Sequence, residues 1–567
     1  MSSAQLRGSL LPAPRFRTGP LSTGLLQVEG YKHLQTFFPT LTKLFRLGKW
    51  NGEEIWMDTR YRITALDCSG TTGPCRIQLV QNSDVSGTGD TITRNAFLKT
   101  THLLDPIHWI RGTYSLPKEN GLPWHHKAWQ KAWQKLQDPG NQAYIDAVAS
   151  YALGRLREED ICPHFNNFFG SFCARADLYR YNLTEDFSSY RHERWFWTGY
   201  HKNLFKIKVI HTEAPEEPVP AEVMEEVLHE YAKPGGEDDS SEVLSDLEDI
   251  NADNASIHSA DSMSDVSYAE KSTKSDNDGS DSEDTDDATE EEPIYSIYAE
   301  MSNYPVMLII SEESSGTMDA LFEDDTEVGC ESSTPEWEQR WSAWLFQIVA
   351  ALSCAQTLFG FTHNDLHTNN ILWSKTDQEF LWYTTRAGNV FKVPTFGKVF
   401  HIIDFGRAIF TINGHQFISD DFKPGNDADG QYVFTPLCQK ITKEIPPNPS
   451  FDLCRLAVSL MDGVFPVKPD ERKKGAVLSK EPGLTVRETE SDLYNLLWSW
   501  MVDDDGKNIF INPDGSERFP SFDLYKHIAE FIHIAVPSQQ IFAKAFQTFQ
   551  VEAADIPAGQ KKYSLMC

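Results

Sequence analysis

The sequence is short of several things, and each shortage narrows what it can be. Met1 to Pro20 carries three arginines and several prolines but no apolar core segment, so no secretory leader is expected. The nine cysteines form no C-x-x-C pair and no metal-type spacing. An odd, scattered set reads as buried thiols in a reducing compartment, which points to the cytoplasm. No basic stripe runs along the chain, which argues against nucleic acid as the main partner. One long uncharged run, Trp341 to Phe361, has about the length of a membrane span. It contains Ser342, Gln347, Ser353, Gln356 and Thr357 and leads straight into a polar motif, so it reads as a buried central helix and no membrane partner is expected.

The formal net charge of −32 is concentrated in one place. Residues 213–292 hold 28 acidic and 3 basic residues, which leaves the rest of the chain close to neutral. This segment is rich in Ser, Asp and Glu and poor in aromatics, so it cannot bury enough surface to offset its ordering entropy. It is expected to be disordered: a solvated tether, a target for acid-directed phosphorylation, or a site for basic partners. Residues 1–30 are expected to form a disordered tail as well. The length of 567 residues allows two to four domains, or one large unit with insertions.

Between these regions the periodicity suggests elements. Tyr31 to Phe45 has apolar residues at helical spacing, interrupted by Pro39. Tyr61 to Leu66, Arg76 to Val80 and Asn95 to Lys99 read as strands, and Ala143 to Leu156 as a helix. Residues 117–140 read as an insertion whose Trp129 and Trp133 share a helical face. Phe205 to Ile210 and Pro305 to Ile310 read as two strands flanking the acidic segment, where a long insertion costs little.

The most informative stretch is His363-Asn364-Asp365-Leu366-His367-Thr368-Asn369-Asn370. It is followed by the apolar run Val399 to Ile403, which ends in Asp404-Phe405-Gly406. Together these resemble the catalytic loop and metal-binding turn of the protein-kinase-like family, H-R-D-L-x-x-x-N and D-F-G. Phosphoryl transfer needs an acceptor hydroxyl held in line and cations that neutralise phosphate charge. The resemblance implies that Asp365 faces the acceptor hydroxyl and that Asn370 and Asp404 hold Mg²⁺, a hard cation that takes oxygen ligands and keeps waters. It further implies that Lys99 pairs with the phosphates of ATP and with a helix carboxylate, for which Asp146 is the best placed acid. Gly70 and Gly73 would form the phosphate-covering turn, although a plain hairpin reads the same way. Ile310 would flank the purine, and backbone groups of Ser311, Glu312 and Glu313 would hydrogen-bond it. Asp452, at the start of an apolar helix, resembles the aspartate that anchors the catalytic-loop backbone.

Several stretches are similar to the protein kinases encoded by giant nucleocytoplasmic DNA viruses. These are Phe97-Leu98-Lys99 with Leu103-Leu104-Asp105-Pro106, Ala143 to Asp146, Ser419 to Phe422 with Gly430-Gln431-Tyr432, and Ser450 to Leu456. The implied fold class is α+β and bilobal: a small β-rich lobe (31–311) carrying the acidic insertion, and a large helical lobe (312–567). The implied activity is an ATP- and Mg²⁺-dependent serine/threonine protein kinase, in the infected cytoplasm or the virus particle. Three departures keep alternatives open. Asn364 stands where the family has an arginine that usually reads an activation-segment phosphate. His367 stands where serine/threonine kinases have a lysine. No A-P-E follows the metal turn. A small-molecule phosphotransferase and a scaffold without catalysis are the other readings.

Overall fold

Gly73–Gln81 alternates buried and exposed residues over most of its length, the period-two pattern of a strand with one covered face. It belongs to an antiparallel sheet in which neighbours run in the order Tyr31–Gln35, Phe168–Asn182, Tyr295–Glu312, Ile92–His102, Gly73–Gln81, Tyr61–Asp67. The computed structural model describes residues 28–45, 56–68, 72–81, 90–114, 130–212, 214–229, 295–434 and 448–565, with a few isolated positions besides. Over these residues the chain is mixed α+β, with a β-rich region followed by a helical one.

Tyr295–Glu312 is the spine of the sheet. One edge pairs with Phe168–Asn182 along most of its length. The other edge pairs with Lys206–His211 in its first half and with Ile92–His102 in its second. Helix Gln142–Glu158 packs against this sheet. Asn141 caps it by accepting from the Ala143 N–H, and Arg155 and Arg157 lie in its last turn, where cations suit the helix dipole. Gly154 lets it approach closely, since a Cβ there would come within 2.9 Å of the Phe168 Cβ.

Two expectations change. Tyr31 to Phe45 is not one helix: Tyr31–Gln35 is an edge strand on Phe168–Asn182, and the helix is only Thr40–Phe45. Pro39 has no N–H to give a helix, and an open sheet edge offers the preceding residues better partners than a helix would. The acidic segment is not uniformly without structure: residues 214–229 are described and include helix Ala221–Val227. Val219, Val223 and Met224 pack on the core and Val227 is buried, a local apolar stripe that the surrounding charge obscures. Residues 230–292 of that segment, most of residues 1–30, and Trp129 lie outside the described residues.

The helical region is built around Pro335–Phe359. Thr334 caps it by accepting from the Trp337 N–H at 3.2 Å, Pro335 opens it, and Gly360 closes it in the left-handed region at φ 55°. It is long and apolar enough to cross a membrane, but 83% of its most apolar window is buried inside the protein. Trp337, Trp341 and Trp344 are all buried, and Trp341 stacks on Phe322 at 5.0 Å. Helices Phe451–Val464, Asp492–Trp500 and Phe522–Phe531 complete the region. It is not purely helical towards its end: Val477–Glu481 pairs with Leu484–Arg487, and Tyr563–Leu565 adds a parallel strand to Phe380–Thr385.

Strands Ile371–Lys375 and Lys398–Ile402 pair antiparallel, with Ile371 opposite Ile402. That register decides the site. It sets the end of the 363–370 loop beside the start of the 404–406 turn, and the Ile403 N–H donates to the Asn370 carbonyl at 3.1 Å.

Candidate active site

Alternation along Ile92–His102 turns Phe97 and Lys99 to one face and Leu98 to the other. The adjoining strand does the same. Ile309 and Ser311 line a cavity with Phe97 and Lys99, while Ile310, paired with Leu98 and Gly170, does not. The apolar residue against the cavity is therefore Ile309, one position before the expected Ile310.

Lys99 Nζ lies 2.8 Å from Asp146 Oδ2 and 2.9 Å from Asp404 Oδ1. All three side chains are largely buried, at 15%, 3% and 9% exposure. Burial works against the ammonium charge, but the two carboxylates outweigh it and hold the lysine above its ordinary pKa. Asp146 Oδ1 also accepts from the Phe405 N–H at 3.0 Å. One carboxylate thus ties the helix both to the strand lysine and to the turn. Asp404 sits at φ 64°, in the left-handed region.

The 363–370 loop is anchored from beneath. Asp452 accepts from the His363 N–H at 3.0 and 2.9 Å, one to each oxygen, and from the Asn364 N–H at 3.0 Å. Burial pushes this carboxyl up to about 6, against the pull of His363 and the backbone donors. His363 Nε2 donates to the Ile403 carbonyl at 2.8 Å, and its Nδ1 accepts from the Asp365 N–H at 3.3 Å. Asn364 is fully buried at φ 68°. Its Nδ2 donates to the Arg407 carbonyl at 3.0 Å, and its Oδ1 accepts from the Tyr432 hydroxyl and, at 3.4 Å, the Gln431 amide.

Asp365 Oδ1 accepts from the Tyr525 hydroxyl at 2.6 Å, and Oδ2 faces Arg407 Nη1 at 3.5 Å. Burial alone would raise its pKa, but Arg407, His367, Tyr525 and Arg455 together hold it well below the usual carboxylate range. Asn370 Nδ2 donates to the Asp365 carbonyl at 2.9 Å and to His367 Nε2 at 3.1 Å. His367 is held at about 4 by burial, opposed by Asp365, and so is neutral at pH 7. It supplies no positive charge where a lysine would.

Lys99, Asp146 and Asp404 meet directly, Asp365 and Asn370 share one loop, and the strand pairing above joins the two groups. Gly73 opens its strand opposite Leu98, next to Lys99, whereas Gly70 lies outside the described residues. Ser311 lines the cavity. The Glu312 N–H and carbonyl are engaged by the Asn167 carbonyl at 2.9 Å and the Asn166 amide at 3.3 Å. Glu313 does not line the cavity. The cavity itself is small, about 50 Å³, and mostly apolar, with Leu153, Phe165 and Phe168 among its walls.

Arg407, Tyr525 and Arg455 belong to the site and had no expected role. Arg407 was signalled only by its place after the turn, and Tyr525 by nothing local. Among the described residues no group of three or more His, Cys, Asp or Glu side chains is arranged to hold a metal ion. Asp404 and the side-chain amide oxygen of Asn370 offer one carboxylate and one amide, hard donors of the type Mg²⁺ takes when phosphates and water complete its shell. The chain matches no protein-family model and no curated protein.

Proposed function

We propose that this chain is an ATP- and Mg²⁺-dependent phosphotransferase with a bilobal, protein-kinase-like fold, acting on Ser or Thr hydroxyls of a protein substrate. The observation that carries it is Lys99 placed between Asp146 and Asp404 at 2.8 and 2.9 Å, across from the loop of Asp365 and Asn370. A buried lysine bridging a helix and a loop is suited to binding anionic phosphates, and its two carboxylates keep it charged until they arrive. Asp365 would hold the acceptor hydroxyl. The hydroxyl oxygen bonds to the γ-phosphorus as the bond to the β-phosphate oxygen breaks, and ADP leaves. Asp365 would orient the hydroxyl, whose proton ends on an oxygen of the transferred phosphoryl group. Asn370 and Asp404 would hold Mg²⁺, which when bound neutralises phosphate charge.

A small-molecule acceptor is the second reading, favoured by His367 standing where a lysine would and by the absence of an A-P-E after the turn. On either reading the setting is a reducing cytoplasm, with basic proteins as partners of the acidic segment.

The test is transfer of labelled γ-phosphate from ATP, wild type beside Asp404→Asn, with a casein-like protein and a metabolite mixture as acceptors. Label on protein that vanishes in the variant is expected. Label on metabolites alone selects the second reading. A folded wild type that labels neither overturns both and leaves a scaffold.

A further inference from the structure

Both oxygens of the Asp365 carboxylate are held, and by residues from two distant parts of the chain. Tyr525 lies on helix Phe522–Phe531 and donates to Oδ1 at 2.6 Å. Arg407 follows the 404–406 turn and faces Oδ2 at 3.5 Å. Arg455 Nε donates to the Tyr525 oxygen at 3.0 Å. A phenol has one proton, so Tyr525 accepts from Arg455 and gives its own proton's bond to Asp365. Arg407 is itself buried, with its Nε 3.8 Å from the Asp421 carboxylate and its guanidinium 6.0 Å from the Tyr525 ring. Asn364, directly before Asp365, is uncharged and fully committed to Arg407, Gln431 and Tyr432. The loop therefore takes a cation for its aspartate from residue 407.

We infer that Arg407 and Tyr525 are positioning residues that fix the plane of the Asp365 carboxylate, and that Arg407 makes this alignment depend on where the Asp404–Gly406 turn sits. The inference rests on the phosphotransferase reading above. A carboxylate turns broadly about its last torsion, and one donor on each oxygen removes that freedom. Each oxygen keeps a further lone pair for an acceptor hydroxyl. Arg407 is joined to Gly406 by a peptide bond, so a shift of the turn that carried Asp404 away would withdraw the cation from Asp365 as well. Neither Arg407 nor Tyr525 lines the Lys99 cavity, so their loss acts on turnover and not on nucleotide binding. Misplacement of a reacting group by about 1 Å costs on the order of 10²-fold in rate.

The test uses the full chain and the variants Arg407→Met, Arg407→Lys and Tyr525→Phe, with steady-state kinetics and melting with and without Mg·ATP. Arg407→Met is expected to lower kcat about 10²-fold and Tyr525→Phe about tenfold, each leaving the KM for ATP within about twofold. Both should keep the rise in melting temperature that Mg·ATP gives the wild type. Arg407→Lys should recover part of kcat, since it keeps the charge but loses the planar fork. An active wild type beside an Arg407→Met of equal kcat overturns the inference alone. So does loss of kcat together with the Mg·ATP-induced rise, which marks a merely structural role. A wild type that transfers no phosphate overturns the phosphotransferase reading and this inference with it.

Discussion

Replacing Lys99 by methionine removes the cation lying between Asp146 and Asp404, and the structure sets how much that matters. The wild-type cluster is one positive charge held by two carboxylates at 2.8 and 2.9 Å, with no member more than 15% exposed. Lys99→Met takes the cation from two buried carboxylates at once, whereas Asp146→Asn leaves the Lys99–Asp404 pair in place and still offers an oxygen to the Phe405 N–H. Breaking a buried pair by removing one partner costs about 3–5 kcal/mol. Losing one charge-assisted hydrogen bond costs about 1.5–3 kcal/mol. Lys99→Met should therefore be the more damaging change, lowering the melting temperature by roughly 6–10 °C at about 2 °C per kcal/mol. Asp146→Asn should lower it by roughly 3–6 °C. The double variant should fall short of the sum by roughly 2 kcal/mol, because the two residues share one interaction. The assay is thermal unfolding without nucleotide at low and high salt, and a buried cluster should respond little to salt. Strict additivity, or an Asp146→Asn more damaging than Lys99→Met, would refute the reasoning.

Two further outcomes follow from the buried groups. His164 is held at about 3 by burial, against its bond to the Phe400 carbonyl at 3.0 Å, and its other nitrogen accepts from the Tyr383 hydroxyl at 2.7 Å. Its folded pKa lies below the unfolded value of about 6.5, so its contribution is complete above pH 6.5 and is lost as pH falls towards 3, by roughly 5 kcal/mol in all. His164→Gln should flatten the fall in denaturant midpoint between pH 6.5 and 4, and an unchanged slope would rule this out. Phe97 walls the small cavity beside Lys99. Phe97→Ala should cost about 3–5 kcal/mol of stability; on the phosphotransferase proposal it should also enlarge the rise in melting temperature with Mg·ATP, and a rise no larger than the wild type's would count against the ring as a barrier to nucleotide.

What could be read from the sequence was what chain-local chemistry encodes. The 363–370 loop and the 404–406 turn are contiguous runs whose residue types have few other uses, and the Ile371–Ile402 register joins them. Lys99 and Asp146 were legible as a strand lysine and an acid in the first turns of a helix, although the strand runs past Lys99 to His102. Their meeting was expected through the resemblance and is present at 2.8 Å, but nothing local in the sequence shows how Gly154 lets the helix settle on the sheet. Ile310 was placed one residue away from the cavity-lining Ile309, an error to which a period of two is prone, since one step reverses the face. Tyr525 lies 160 residues from Asp365 in the chain, and nothing about a tyrosine on an amphipathic helix announces such a partner. The strand at Tyr31–Gln35 was hidden for a related reason: its pairing edge, Phe168–Asn182, is distant in sequence.

The chain leaves the sheet at His211 and comes back at Tyr295, directly opposite. To the sheet, everything between these two residues is a single hairpin connection. Closing a longer loop adds only about 0.6 kcal/mol for each doubling of length, so the length of the connection weighs little on the register of the spine strand. This makes the seam a port. Beyond the short helix Ala221–Val227, replacing residues 230–292 by a short linker should leave the melting temperature within about 2 °C, with Ile309 and Ser311 still beside Lys99.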